Sequence, residues 1–486
     1  MPSPSHDLRR KATRLAVRSL ARARGLSPES AIAWLPAPLR DRLAGLFPAP
    51  STVGIDGFDA FAPETLANPY AFYDTLRRKA PVYRVPGADY YCVSTYDLVR
   101  EVALDTQTYS SNLVAILLAS GRKGAKTWQL PTGQGPVDVL AIEDPPVHTR
   151  HRKLATAALS SRFQKSLDDD IRAMVDELLA AALARGECEW MDDVANVVPM
   201  RIALRLVGFP EEDHRRVKFL CDHAVALLNG VNTPAQLAEH VDFGIELFAY
   251  VQRQFQRHVR APGDDLTGSL VRATRGSGDD SLSEAEALSI LLQILIAGSD
   301  SSASALGSCV ARLAADAELQ AALRAAPEGI PAFVEEMLRL EAPFQGHFRV
   351  TTRAVSLGGV QLPKGARLML LWASANRDAA RFEEPDALRP ERPGLRQHMT
   401  FGYGAHLCLG AHLARREIQI ALAQLLGSTS HIAPGPSPQR HRPSVFTRTL
   451  VNLPLTLTPS APATDARPPT PAPEASPLRA VGEDAR

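Results

Sequence analysis

The chain has 486 residues, with 54 Lys and Arg against 53 Asp and Glu and a formal net charge of +1, and it carries no nucleic-acid-binding motif. That balance gives no electrostatic case for a nucleic-acid partner. The five cysteines, Cys92, Cys188, Cys221, Cys309 and Cys408, form no Cys-x-x-Cys pair, which suits a reducing cytoplasm better than a disulfide framework. No apolar run reaches the roughly 20 residues that a bilayer span requires, and a cytoplasmic location is the expectation.

In chain order, residues 1–54 read as a basic extension, in which Arg9, Arg10, Lys11, Arg14, Arg18, Arg22 and Arg24 are opposed by Asp7. Leu8, Ala12, Leu15 and Leu20 give it one thin apolar face, compatible with an organelle transit peptide, a membrane-surface helix or a solvated leader. The thinness of the face favours the leader. Residues 55–458 form the body. Alternating or β-branched residues predict strands over 90–95 and 359–372, the second with a Pro363-Lys364-Gly365 turn. Helical periodicity covers segments near 150–185, 196–209, 240–260, 284–316, 329–340 and 409–426. The expected class is therefore mainly α with a minor β part. Residues 459–486, rich in Pro, Ala and Thr, read as a disordered tail.

Within the body, Asp144-Pro145-Pro146 is a helix-start signal. His148 and Arg152 follow at i, i+4 and share one face, where spacing alone favours a solvent-facing pair. Farther on, Ser281 and Ser283 each have Glu three positions later, so either can open a long helix through a capping box. Its first turns, Leu288 to Ile296, are apolar nearly all round and therefore buried. Ala297-Gly298-Ser299-Asp300-Ser301-Ser302 then interrupts the apolar run. One reading is that these side chains bond back to helix carbonyls and bend the helix. Glu336 and Arg339 lie one turn apart, a spacing that by itself describes a solvated helix pair.

The most informative stretch is Phe401-Gly402-Tyr403-Gly404-Ala405-His406-Leu407-Cys408-Leu409-Gly410, running into a helix with Ala414 and Arg415. A cysteine that ligates iron must be ionised, which calls for backbone N–H donors and a helix N-terminus aimed at sulfur. Gly402 and Gly404 allow a tight turn with positive φ, Gly410 removes a side chain near the sulfur, and Phe401 would shield it. Zinc bound by Cys408, His406 and His412 would lack a fourth ligand and has no use for the glycines.

On these residues the chain resembles the cytochrome P450 family of haem-thiolate monooxygenases, in its soluble bacterial type. The resemblance implies a single-domain fold, α-rich with a small sheet region. It implies haem b with Cys408 as axial iron ligand, Phe401, Gly402 and Gly410 around it, and His148, Arg152, Arg349 and His406 as haem-propionate donors. Glu336, Arg339 and Arg392 would form a structural ion-pair network. Asp300 and Ser301 would be catalytic, delivering protons during oxygen activation. The hydroxyl residue after the acid is Ser301 where the family commonly has threonine, so the methyl that helps fix the rotamer is missing.

The same resemblance sketches a substrate pocket from the loop with Leu113, Val114, Ile116, Leu117 and Leu118. Across from it would stand Gln293 and Ala297, Phe344, Gln345 and His347, and Val445 with Phe446. These mostly apolar residues imply a lipophilic substrate, with Gln293, Gln345 or His347 as orienting donors or as groups satisfied by backbone or water. The combination Tyr109-Ser110-Ser111-Asn112 with Phe344-Gln345-Gly346-His347 resembles a mycobacterial branch of the family.

The chain shows no reductase-like domain, so electrons would come from NAD(P)H through a ferredoxin or similar acidic redox protein and its reductase. That partner would dock by charge on the face presenting Arg415 or Arg416. The expected reaction inserts one atom of O2 into substrate. A haem-binding sensor or carrier is the other class, but it needs no acid–hydroxyl pair opposite the thiolate. Peroxide-driven oxygenation would more naturally place a cation there.

Overall fold

The computed structural model describes residues 53–460, except 113–114, 120–124, 130–135, 159–160 and 279–280. The basic extension, apart from its last two residues, and the Pro-rich tail, apart from its first two, lie outside the described residues, as does Val114. Helices dominate. The expected segments appear as Val147–Ala158 with Ser161–Arg185, Val197–Val207, Pro234–Arg260, Glu284–Ala314, Ile330–Leu340 and Ala411–Ser428. Helices at Tyr70–Lys79, Tyr96–Leu104, His214–Ala226, Leu266–Thr274 and Ala317–Ala325 join them.

Glu284–Ala314 is the central helix. Of the two candidate starts, Ser283 is the one used: its hydroxyl accepts from the amide of Glu286, whose carboxylate returns the bond to the Ser283 amide. By length and mean hydropathy this helix could cross a membrane, but 61% of its apolar window is buried inside the protein. It is a core helix, packed on Val197–Val207, His214–Ala226 and Ala411–Ser428. The 297–302 stretch does not break it, because the hydroxyls of Ser299 and Ser301 bond back to the carbonyls of Ile296 and Ala297 without displacing the helical ladder.

The main sheet has five short strands in the order Val82–Arg84, Tyr90–Val93, Arg367–Leu370, His347–Thr351, Tyr109–Ser110. Tyr90–Val93 and Arg367–Leu370 run parallel, and the other pairs are antiparallel. The 359–372 segment forms two strands, Val360–Leu362 and Arg367–Leu370, on either side of the expected Pro363-Lys364-Gly365 turn. In the sheet His347 is opposite Leu370 and Arg349 opposite Leu368. The two-residue period therefore sends His347 and Arg349 to one face, while Phe348 turns to the other and meets Tyr90 edge-on at 5.4 Å. The segment read as a loop around Leu117 is instead a hairpin, Ala115–Ala119 paired with Ala125–Gln129, in which the β-formers Ile116, Thr127 and Trp128 override the loop reading.

Candidate functional site

Cys408 sits just ahead of the helix Ala411–Ser428, in a loop closed by its own amide donating to Phe401 O at 2.8 Å. The amide of Gly402 reaches Met399 O at 2.9 Å, and Gly402 and Gly404 take φ of 74° and 71°, a region that disfavours side chains. A Cβ on Gly410 would meet Cys408 Sγ at 4.0 Å and nothing nearer. Of the five cysteines only Cys408 is exposed; the other four are buried. The surrounding protein nonetheless desolvates its sulfur and pushes the thiol up. The Gly410 amide, Arg152 and Arg415 oppose that shift, so anion-stabilising groups already point at the sulfur.

Arg415 is committed elsewhere as well. Its guanidinium binds Glu335, with Nη2 at 3.1 Å from Oε2, and covers the Phe401 ring at 4.3 Å. Glu335 in turn meets His398 Nε2 at 2.9 Å. Arg416 pairs with Asp168 at 3.3 Å. Arg415 and Arg416, the cations expected on the docking face, are thus each paired by a carboxylate from another helix.

Above the thiol loop lies a cluster of basic side chains. His148 is buried, and its ring lies 4.3 Å from that of His406. His406 Nε2 is 3.0 Å from Ser111 Oγ, while its buried Nδ1 has no partner. Arg349 is 4% exposed and donates to Phe348 O at 2.8 Å. Burial lowers the pKa of Arg349 to about 10 against the pull of Asp144. His406 falls to about 3, through burial first and then the charges of Arg349, His148 and Arg152. Arg349 thus remains a buried cation short of an anion, while the His406 ring is held neutral for want of one. Carboxylates placed among them would supply it, and that is what the two propionates of haem require. The residues present fit the group.

The central helix contributes Ala297, which is exposed, and half-buried Ser301 four residues on, so both share one face. Ser301 Oγ donates to Ala297 O at 2.8 Å. Asp300 turns away from that face and is 1% exposed. Its Oδ2 accepts from Thr449 Oγ1 at 3.1 Å, and Oδ1 lies 3.8 Å from Lys218 Nζ, which is also paired with Asp222. Lys218, Asp222 and Thr449 carried no sequence signal, because each lies far along the chain from Asp300.

Glu417 was missed too. It lies on the helix after Cys408, 5% exposed, and burial pushes its carboxyl up to about 8 while a Ser302 hydrogen bond opposes the shift. The one available signal was a lone acid on the face continued by Ala421 and Leu425.

Glu336, Arg339 and Arg392 come together. Arg339 makes a bidentate pair with Glu336 at 2.7 Å and 2.7 Å, with both side chains fully buried, and Arg392 adds contacts at 3.3 Å. Arg339 Nη1 also donates to Asn376 O and Pro385 O, tying down the segment that leads to the cysteine loop.

Of the proposed pocket, Phe344 and Phe446 meet at 5.1 Å, and His347 lies against both, at 5.4 Å and 5.3 Å. Gln293 is not a free donor: it accepts from Ala141 N at 3.2 Å and donates to Val139 O at 2.9 Å. Gln345 is buried, accepting from Tyr73 OH at 2.6 Å. Val445 packs into the Tyr73 and Met369 core cluster instead of lining the pocket.

A family model for cytochrome P450 matches residues 330–454. Cytochrome P450 144 of Mycobacterium tuberculosis is 36% identical over 381 residues, covering 78% of this chain and 87% of that one. Among solved structures, CYP109Q5 from Chondromyces apiculatus superposes with a TM-score of 0.70 at 31% identity, covering 82% of this chain and 98% of its own. CYP109E1 from Bacillus megaterium, in complex with testosterone, does so with a TM-score of 0.74 at 27% identity, covering 81% and 99%.

Proposed function

Because this chain belongs to the cytochrome P450 family of haem-dependent monooxygenases, we propose that it inserts one oxygen atom from O2 into a lipophilic small molecule at a haem held by Cys408. The observation that carries the reading is the exposed Cys408 thiol, backed by the Gly410 amide and by Arg152, beside buried Arg349 and the His148 and His406 rings, which lack an anion. His148, Arg152, Arg349 and His406 would bind the two propionates. Bound there, haem supplies the centre at which O2 is activated, and thiolate donation favours O–O cleavage.

The other steps belong to side chains. Asp300, held by Thr449 and facing Lys218, takes up protons from the protein side, and Ser301 passes them to the open face of the central helix. Asp300 Oδ1 is buried and makes no hydrogen bond among the described residues, and its ion-pair partner Lys218 Nζ stands 3.8 Å away. Such acid–base assistance is typically worth about 10²–10⁴-fold. The Glu336, Arg339 and Arg392 network keeps the cysteine loop in register. Ala297, Phe344 and Phe446 offer an apolar surface to the substrate, consistent with the steroid bound by the CYP109E1 relative. Electrons come from NAD(P)H through an acidic iron–sulfur partner and its reductase.

The test uses purified holoenzyme with a surrogate ferredoxin, its reductase and NADPH, screened against lipophiles. The expected result is a red-shifted ferrous–CO band, and NADPH consumption that rises with particular compounds and yields oxygenated product. A normal band without substrate-dependent turnover across the screen moves the assignment to a haem sensor or carrier. Absence of the band overturns it.

A further inference from the structure

With Gln293 and Gln345 committed to protein partners, His347 is the remaining polar candidate beside Phe344 and Phe446. Its geometry is unusually determined. The sheet register places His347 opposite Leu370, and two residues beyond Leu370 the buried Trp372 donates Nε1–H to His347 Nδ1 at 2.8 Å. An indole nitrogen can only donate, so Nδ1 must be the bare nitrogen of the imidazole, and the neutral ring carries its hydrogen on Nε2. Burial, aided by Arg349, lowers the His347 pKa to about 3, which keeps the ring neutral at physiological pH.

The ring is fixed as well as its tautomer. Phe344, Phe446 and Trp372 stand around it at 5.4, 5.3 and 6.2 Å. The preceding backbone has no latitude, because a Cβ on Gly346 would lie 2.4 Å from Leu370 O. Nε2 has no protein acceptor among the described residues, and His347 is half-buried rather than sealed.

We propose that His347 presents a fixed Nε2–H donor to a carbonyl or similar neutral oxygen on an otherwise apolar substrate, with Trp372 as the positioning residue that sets the tautomer. The proposal rests on the monooxygenase reading and adds a substrate class to it. The propionates are the competing acceptors. Two guanidiniums, Arg152 and Arg349, with the His148 and His406 rings beside them, already answer those two carboxylates, whereas a neutral N–H matches a neutral oxygen.

The experiment titrates holoenzyme with matched pairs, cyclododecanone against cyclododecane and 2-tridecanone against tridecane, following the substrate-induced shift of the haem band. Wild type should bind the ketone of at least one pair more tightly by roughly 3- to 10-fold, the range of one net hydrogen bond. His347→Phe should abolish the preference, His347→Gln should restore part of it by keeping an N–H, and Trp372→Phe should weaken it with haem content unchanged. No ketone preference in wild type, or a preference that survives in His347→Phe, overturns the proposal. So does a His347→Phe protein that loses haem or shifts its reduction potential with the preference intact, since the N–H then serves a propionate. Should His347→Phe fail to fold, the comparison of wild type with His347→Gln and Trp372→Phe decides. A ferrous–CO spectrum of each preparation separates the two levels: a normal band without preference sinks only the His347 role, and a missing wild-type band sinks the monooxygenase reading.

Discussion

Thr449 Oγ1 donates to Asp300 Oδ2 at 3.1 Å and is itself 2.8 Å from Ser304 Oγ, whose hydroxyl bonds back to Asp300 O. The acid of the central helix is therefore held from outside the helix by a residue near the C-terminal strands. Holding matters because a buried carboxylate can turn toward either donor, Thr449 or Lys218, and proton transfer requires one fixed orientation. Thr449→Val keeps the shape and removes the donor. The expected outcome is slower NADPH-coupled turnover with normal haem content, smaller in effect than Asp300→Asn, which removes the titrating group itself. Equal rates for Thr449→Val and wild type, measured with the same substrate, would show that Lys218 alone positions Asp300.

Ser301 sits on the other side of the same problem. Its hydroxyl is tied to Ala297 O at 2.8 Å, and without a β-methyl it has more rotamers to choose from. Ser301→Ala should raise hydrogen peroxide released per NADPH consumed and lower product. Ser301→Thr should hold or improve the coupling. Full coupling in Ser301→Ala would reduce this serine to a helix-bonding residue and hand the proton to Ser302 or water.

The Glu336 and Arg339 pair is fully buried and bidentate, so removing either partner leaves a charge without compensation, a loss on the order of 3–5 kcal/mol. Glu336→Ala strands both Arg339 and Arg392, whereas Arg392→Ala leaves the 2.7 Å pair in place. Haem content per purified protein should fall in the order Arg392→Ala, then Arg339→Ala and Glu336→Ala lowest. Equal haem occupancy in all three variants would contradict that order.

Much of this is legible in the sequence, and the reason is locality. The cysteine loop encodes its turn in Gly402 and Gly404 and its helix start in the residues after Gly410, all within one short stretch. The central helix announces its start through two overlapping capping boxes, at Ser281 and Ser283, between which the structure chooses Ser283, and its burial through Leu288 to Ile296. Helices such as His214–Ala226 and Tyr70–Lys79 lie outside the segments read as helical, although each buries one apolar face. What could not be read were the long-range partners: Lys218 and Thr449 on Asp300, Trp372 on His347, Glu335 on Arg415. Each depends on two elements meeting, which spacing within one element does not report. The loop reading around Leu117 failed for a related reason, since a hairpin depends on Ala115–Ala119 meeting Ala125–Gln129 across an intervening turn.

Glu417 supplies a pH test of the packing between the helix after Cys408 and the central helix. Its carboxyl is pushed up to about 8 by burial, from an ordinary value of 4.5, with Ser302 opposing. The folded chain therefore binds this proton more tightly than the unfolded chain does, and stability falls as pH rises between those two values. The contribution is fully present below pH 4.5 and lost above about 8. Glu417→Gln has no proton to lose at that position. Between pH 6 and pH 9 the Tm of wild-type holoenzyme should drop more than that of Glu417→Gln, the other titrating groups being common to both. The variant should be the more stable protein at pH 9. Parallel Tm profiles across that range would mean that Glu417 reaches water when ionised, and that the contact with Ser302 does not close off the space between the two helices.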